Sequence, residues 1–199
     1  MKVAAIVEGD GEVAAFPVLL RRLREWLTPD NYFVEINPPI RVHRDQFLNK
    51  NEIFTKMLLL ARAKCEENGW ILVLLDADDD CPAELGKQIL VRAEEIVPDR
   101  RISVVLANRE YEAWFIAAAQ SLNGQRGFLT PDEKQIEVES IRDAKGWLGH
   151  RKADGKYREV TDQPAFSAVM DLQQAKNNSR SFSKLCSEWE KNVKVLGFD

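Results

Sequence analysis

The sequence predicts an α/β protein with a mostly parallel sheet flanked by helices and a helical C-terminal extension. Residues 71–75 and 102–106 form almost uninterrupted apolar runs, as expected of strands covered by helices on both faces. Segments of helical period separate the predicted strands, which is typical of right-handed crossovers in a parallel sheet. We expect an α/β core in residues 1–120 and an extension packed on it in residues 121–199.

The first elements follow from apolar spacing and turn residues. Residues 3–7 form an apolar run that ends in Glu-Gly-Asp-Gly, a turn sequence. Apolar residues three and four positions apart then predict a helix from about residue 12 to 27, which begins just before Pro17 or bends there. Residues 32–36 alternate weakly between turn residues and predict a short strand.

The later elements complete the alternation. Apolar spacing predicts helices over about 52–67 and 82–96, on either side of the apolar run at 71–75. Another helix follows the run at 102–106 and carries Tyr111, Trp114 and Phe115. Strand signals stop near residue 121, and the remaining helices are expected over 141–148, 166–172 and from about 182 onward.

Composition excludes several classes of protein. The 199 residues carry 28 Lys plus Arg against 32 Asp plus Glu, a net charge of −4, with 45% hydrophobic residues, so the chain is neither fibrous nor disordered. The longest aliphatic run is too short to cross a bilayer, and we expect a cytoplasmic protein without membrane contact. The three widely spaced cysteines predict reduced thiols rather than disulfides or a zinc site.

Acidic residues follow three predicted strands. Glu8 closes the first strand, Asp76, Asp78 and Asp80 follow the run at 71–75, and Glu112 follows the run at 102–106. One carboxylate at such a position is explained well enough as a helix cap. Several carboxylates at neighbouring strand ends repel one another unless a cation or a proton compensates, and hard oxygen ligands suit Mg²⁺ or Mn²⁺. The pattern therefore favours a divalent-metal site.

The ordered pair VEGDGE and LLDADDD resembles the Toprim fold of topoisomerases, bacterial primases and OLD-type nucleases. In that superfamily a Glu ends the first strand and a DxD motif ends a later one, which correspond to Glu8 and to Asp76, Asp78 and Asp80 here. The resemblance covers roughly the first 110 residues. It implies that Asp76 and Asp78 hold a metal against phosphate oxygens, with Glu8 as a metal ligand or general acid/base, and Asp80 as an outer ligand.

Over nearly the whole chain, the segments VEGDGE, LLDADDD, NREYEAWFIAA and SRSFSKL are similar to the DUF4276 family, which is described only as Toprim-related and is often encoded near ATPases in bacterial defence neighbourhoods. The resemblance centres on Glu112 rather than Glu110, which makes Glu112 the expected fifth metal ligand. On a helix, residues two apart diverge by about 200°, so we expect at most one of these two carboxylates to face the site.

Basic residues in two segments are candidates for binding nucleic acid. They lie in the loop after the second predicted strand and in the extension: Arg41 and Arg44, then Lys145, Arg151, Lys152 and Lys156. A solvated basic face explains them equally well.

These features predict a Mg²⁺- or Mn²⁺-dependent phosphodiester hydrolase that acts on nucleic acid, DNA in preference to RNA, in a bacterial defence or repair context. Strand passage is disfavoured because no tyrosine is marked as a nucleophile and the chain is short. A receiver domain needs an acidic pair after the first strand, and a dehalogenase-like phosphatase needs its DxD there; neither pattern is present. The remaining alternative is a non-catalytic Toprim-like subunit that binds a partner ATPase.

Overall fold

The computed structural model describes residues 1–31, 33–130 and 136–194. Its centre is a sheet in which every described strand pairing is parallel, which confirms the predicted α/β class. Two short strands lie beside the first strand on one side, and the two apolar strands follow on the other. The strands are β1 (Lys2–Val7), β2 (Glu35–Ile36), β3 (Ile40–Arg41), β4 (Trp70–Asp76) and β5 (Arg101–Ala107).

Helices connect the strands and make up most of the C-terminal region. Helix α1 begins at Asp10 and continues through Pro17, so the alternative that it begins just before this proline is wrong. The helices are α1 (Asp10–Leu27), α2 (Arg44–Asn49), α3 (Asn51–Cys65), α4 (Pro82–Ile96), α5 (Ala113–Ala117), α6 (Ala144–His150), α7 (Glu159–Val169), α8 (Leu172–Asn178) and α9 (Arg180–Lys194).

The strand predicted over 32–36 is shorter than expected, and a second one follows it. Tyr32 lies outside the described residues, and the chain pairs with β1 only at Glu35–Ile36 and again at Ile40–Arg41. Pro38 and Pro39 stand between these two strands and lack the N–H that a continuous ladder requires. The pattern of alternation could not locate β3 because it contains only two residues.

Helices cover both faces of the sheet, which explains the uninterrupted apolar runs. In β4, Trp70, Leu72 and Leu74 belong to one hydrophobic core, and the intervening residues belong to the other. Helices α3 and α4 contribute to the second core, and α1 and α9 contribute to the first. Both faces of the sheet are therefore buried, and polar side chains at alternate positions of the strands would be destabilising here.

The C-terminal region is part of the first core. Trp189 of α9 is fully buried, its ring centroid lies 6.0 Å from that of Trp70, and its indole N–H donates to the Thr28 hydroxyl at 2.9 Å. Helix α7 packs against α1. Within the described residues, no helix has the length and apolar character needed to span a bilayer.

Candidate metal centre

The carboxyl ends of the parallel strands bring the acidic side chains to one edge of the sheet. Glu8 follows β1, Asp76 is the last residue of β4, and Glu112 lies in the turn between β5 and α5. Asp76 Oδ1 accepts a hydrogen bond from the backbone N–H of Tyr111 at 2.8 Å, which ties the end of β4 to the turn after β5. Parallel pairing therefore places these residues as the sequence predicts for a strand-end site.

Glu12 joins this group through a glutamine that the sequence analysis missed. Gln163 of α7 donates its side-chain N–H groups to Glu12 Oε1 at 2.9 Å and to Glu112 Oε1 at 3.3 Å. Glu112 and Gln163 are both fully buried. The other Glu12 oxygen accepts the Gly9 N–H at 2.7 Å and caps α1. We call Glu8, Glu12, Asp76 and Glu112 the acidic cluster.

Burial and mutual repulsion raise pKa values within the acidic cluster. Burial raises the pKa of Asp76 well above its ordinary value, and the charges of Glu112 and Glu12 raise it further. Burial raises the pKa of Glu112 to about 8, against the opposing effect of Lys145. The pKa of Glu8 is also raised by burial. Protonation or a bound cation therefore stabilises the acidic cluster, because either one offsets the burial and mutual repulsion of its negative charges.

Lys145 of α6 supplies a positive charge next to the acidic cluster. Its ammonium group lies 3.0 Å from Glu159 Oε1. Burial opposes the charged form, but the carboxylates of Glu112 and Glu159 raise the pKa of Lys145 above its ordinary value. Lys145 therefore faces the site from the C-terminal region.

Glu110 also interacts with Lys145. Burial raises the pKa of Glu110, and Lys145 lowers it. Helix α5 begins only at Ala113, so both glutamates precede the helix, with Glu112 at its N-cap. That at most one of them faces the site stays a prediction.

Arg44 engages the other two predicted ligands. Its guanidinium lies 3.4 Å from Asp78 Oδ2 and 2.5 Å from Asp80 Oδ2, and its Nε donates to the Asp76 carbonyl at 3.0 Å. Asp78 has a positive φ of 51° and donates its backbone N–H to the Arg109 carbonyl at 3.0 Å. Asp78 and Asp80 are therefore paired with Arg44, and the Asp78 charge also acts on Glu8 and raises its pKa.

The donor chemistry of the acidic cluster suits a hard cation, but the side chains do not form a complete cage. In the described part of the chain, no three Asp, Glu, His or Cys side chains are placed around one ion position. Glu8 Oε2 and Glu112 Oε2 are buried and lack a well-formed hydrogen bond among the described residues, and the buried Tyr157 hydroxyl interacts with the Glu112 carboxyl group. Mg²⁺ is commonly held by one or two carboxylates together with water and substrate phosphate. Glu8 and Asp76 fit this mode of binding.

The remaining basic candidates lie in different environments. Arg41 Nε lies 3.1 Å from Asp10 Oδ1, the Arg151 guanidinium lies 3.8 Å above the Trp147 ring, and Lys156 is exposed. Among the described residues, neither Arg151 nor Lys156 forms a hydrogen bond or ion pair with the acidic cluster.

Lys152 is not available to bind a phosphate on the surface. Its side chain is 3% exposed, and its ammonium group lies 2.6 Å from Asp162 Oδ2, itself fully buried. The sequence shows a run of basic residues but does not show that one of them turns inward. Lys152 is therefore not among the residues that we propose to bind nucleic acid.

Sequence reasoning missed Glu12, Gln163 and the pairing role of Arg44. A signal was available for Glu12, which lies three residues after the helix-capping Gly9, as in a capping box. Gln163 carried no signal, because its role depends on the packing of α7 against α1, about 150 residues apart in sequence.

Neither a comparison with curated proteins nor one with solved structures gave a match. A family model described as a domain of unknown function, DUF4276, matches residues 7–190. This range includes the acidic cluster, Arg44 and Lys145. The chain therefore belongs to the DUF4276 family.

Proposed function

We propose that the protein is a Toprim-like, divalent-metal-dependent phosphodiester hydrolase that acts on nucleic acid, with DNA preferred to RNA. The acidic cluster carries this proposal. Its carboxyl groups meet at the carboxyl edge of a parallel sheet, where α/β enzymes bind their ligands. Burial raises the pKa of three of them, Glu8, Asp76 and Glu112, and so disfavours their charged forms unless a cation is bound.

In this proposal Glu8 and Asp76 hold Mg²⁺ or Mn²⁺. The bound ion would supply charge stabilisation at a phosphate oxygen and lower the pKa of a bound water. The Tyr111 N–H donates to one Asp76 oxygen. This hydrogen bond fixes the orientation of the whole carboxylate and therefore also the position of its other oxygen. Gln163 holds Glu12 and Glu112 behind these ligands, and Lys145 limits the net negative charge that an approaching phosphate meets.

A non-catalytic subunit that binds a partner ATPase is the second candidate. One observation favours it: Arg44 pairs with Asp78 and Asp80, the two acidic residues that the Toprim pattern adds to Asp76. In a non-catalytic subunit these ion pairs would serve to hold the loop between β4 and α4. Binding of a divalent ion at Asp76 separates the two candidates, because only the hydrolase requires it.

Cleavage assays with a matched charge variant test the proposal. Plasmid DNA, linear single-stranded DNA and RNA are incubated with the wild-type protein and Mg²⁺, Mn²⁺ or EDTA. We expect metal-dependent cleavage that Asp76→Asn abolishes and Asp99→Asn retains, because Asp99 precedes β5 at the opposite edge of the sheet. Absence of cleavage with either metal, alone and with a candidate partner ATPase, or equal cleavage by Asp76→Asn, would refute the hydrolase.

A further inference from the structure

Two arginines at the rim of the site share one exposed aspartate. Asp79 Oδ1 accepts a hydrogen bond from Arg109 Nη1 at 2.8 Å and lies 3.4 Å from Arg142 Nη1. The three residues come from different segments: the loop after β4, the loop after β5 and the segment before α6. The Asp79 side chain is 82% exposed, so its carboxylate meets the arginines at the surface.

We propose that Arg109 and Arg142 bind the phosphodiester backbone of nucleic acid and that the Asp79 carboxylate competes for the same two guanidinium groups. This inference rests on the proposed function, since it concerns how the substrate of that site is bound. It assigns to Asp79 a role different from that of its neighbours Asp78 and Asp80, which pair with Arg44. Asp79 is an internal competitor of the phosphate.

Arg109 is held in place before any phosphate arrives. Its side chain is only 23% exposed, and its carbonyl accepts the Asp78 N–H at 3.0 Å. Its Nε is buried, so an approaching phosphate would meet its terminal N–H groups. The terminal N–H groups of a planar guanidinium can form the paired hydrogen bonds that phosphate oxygens accept. Arg142 is 75% exposed and can adjust to the ligand.

The pairing with Asp79 is weak enough to be exchanged. Exposed ion pairs change an equilibrium by a factor of about five at most, because water screens them and holding two side chains together costs entropy. A phosphodiester carries the same single negative charge as the carboxylate. The exchange therefore replaces one exposed pair by another, and the several phosphates of an oligonucleotide supply the net gain in affinity.

The position of the two arginines matches the site they would serve. Asp79 lies three residues after Asp76, and Arg109 lies three residues before Glu112. A phosphate held by Arg109 and Arg142 would lie beside the acidic cluster but would contact the two guanidinium groups first. This arrangement offsets the repulsion that the cluster exerts on a polyanion.

The chain contains a matched control at the opposite edge of the sheet. Asp99 also lies between two arginines: its Oδ2 is 2.6 Å from Arg62 Nη2 and 2.7 Å from Arg100 Nη1. Asp99 precedes β5, whereas Asp79 follows β4. Asp99→Asn and Asp79→Asn therefore each remove a carboxylate shared by two arginines, at opposite ends of parallel strands, with the Asp99 side chain 42% exposed and that of Asp79 82% exposed.

The test measures binding of fluorescein-labelled single-stranded DNA by anisotropy in EDTA, which keeps it independent of cleavage. We expect Asp79→Asn to bind about three- to fivefold more tightly than the wild type and Asp99→Asn to change the Kd less than about twofold. Adding Arg142→Gln to Asp79→Asn should cancel most of the gain, because the gain acts through this arginine.

Three results would overturn the inference: equal effects of Asp79→Asn and Asp99→Asn, a gain that survives Arg142→Gln, or no binding by either wild type or Asp79→Asn. Circular dichroism of every variant verifies that the fold is retained. If the binding experiment contradicts the role of Asp79, the proposal of metal-dependent cleavage is unaffected. The hydrolase proposal is tested only by the cleavage assay. The two proposals can therefore fail separately.

Discussion

Replacing Glu112 with glutamine should make the protein more stable at alkaline pH. Burial raises the Glu112 pKa from 4.5 to about 8, so the folded state binds a proton that the unfolded state releases. The stability that this proton contributes is fully present below pH 4.5 and is lost as the pH rises through about 8. Glutamine keeps the shape of the side chain and the oxygen that accepts from Gln163, but has no proton to lose.

The expected magnitude follows from the same pKa. A carboxyl with these two values loses about 4 kcal/mol of stability between about pH 5 and pH 9. Asp76, whose pKa is raised by burial and by the Glu112 charge, will take up part of the proton exchange, which reduces the difference. We therefore expect Glu112→Gln to match the wild type near pH 5 and to exceed it by about 2–4 kcal/mol near pH 9.

Urea unfolding in EDTA at several pH values measures this difference, with the exposed Glu94→Gln as the control. Glu94→Gln should track the wild type at every pH, because an exposed carboxylate loses little hydration on folding. If Glu112→Gln is less stable than the wild type near pH 9, or if the difference does not depend on pH, the account of a buried, proton-binding Glu112 is wrong.

Two further outcomes follow from buried groups. Lys152→Met should lower the free energy of unfolding by about 2–4 kcal/mol, since it removes a partner of the buried Asp162, whereas Lys156→Met should have little effect in the same urea titration. Iodoacetamide should alkylate the exposed Cys81 in the native protein but reach Cys186 only after unfolding. The reason is that burial raises the pKa of the Cys186 thiol to about 12. Mass spectrometry that finds Cys186 labelled in the native protein would contradict this prediction.

The sequence allowed the sheet and the strand-end acids to be predicted because both depend on local patterns. Long apolar strands and helices with regular spacing, such as 82–96, need no knowledge of distant residues. The two-residue strands β2 and β3 carry too little periodicity to be located.

The missed features of the site depend on contacts between distant segments. Gln163 reaches Glu12 because α7 packs on α1, and Lys152 turns inward to meet Asp162. Arg44 was predicted to bind nucleic acid, yet its bonds to the loop after β4 form only when α2 lies beside that loop. Composition and spacing do not encode such tertiary pairs.

Calorimetric titration with Mn²⁺ tests the central claim, that the acidic cluster holds a divalent cation, most directly. We predict that the wild-type protein and Asp99→Asn bind Mn²⁺ with the same affinity. Asp76→Asn, which exchanges one carboxylate oxygen for an amide in the cluster, should bind it at least about tenfold more weakly. A wild-type protein that binds no Mn²⁺, or an Asp76→Asn protein that binds it equally well, would contradict the account.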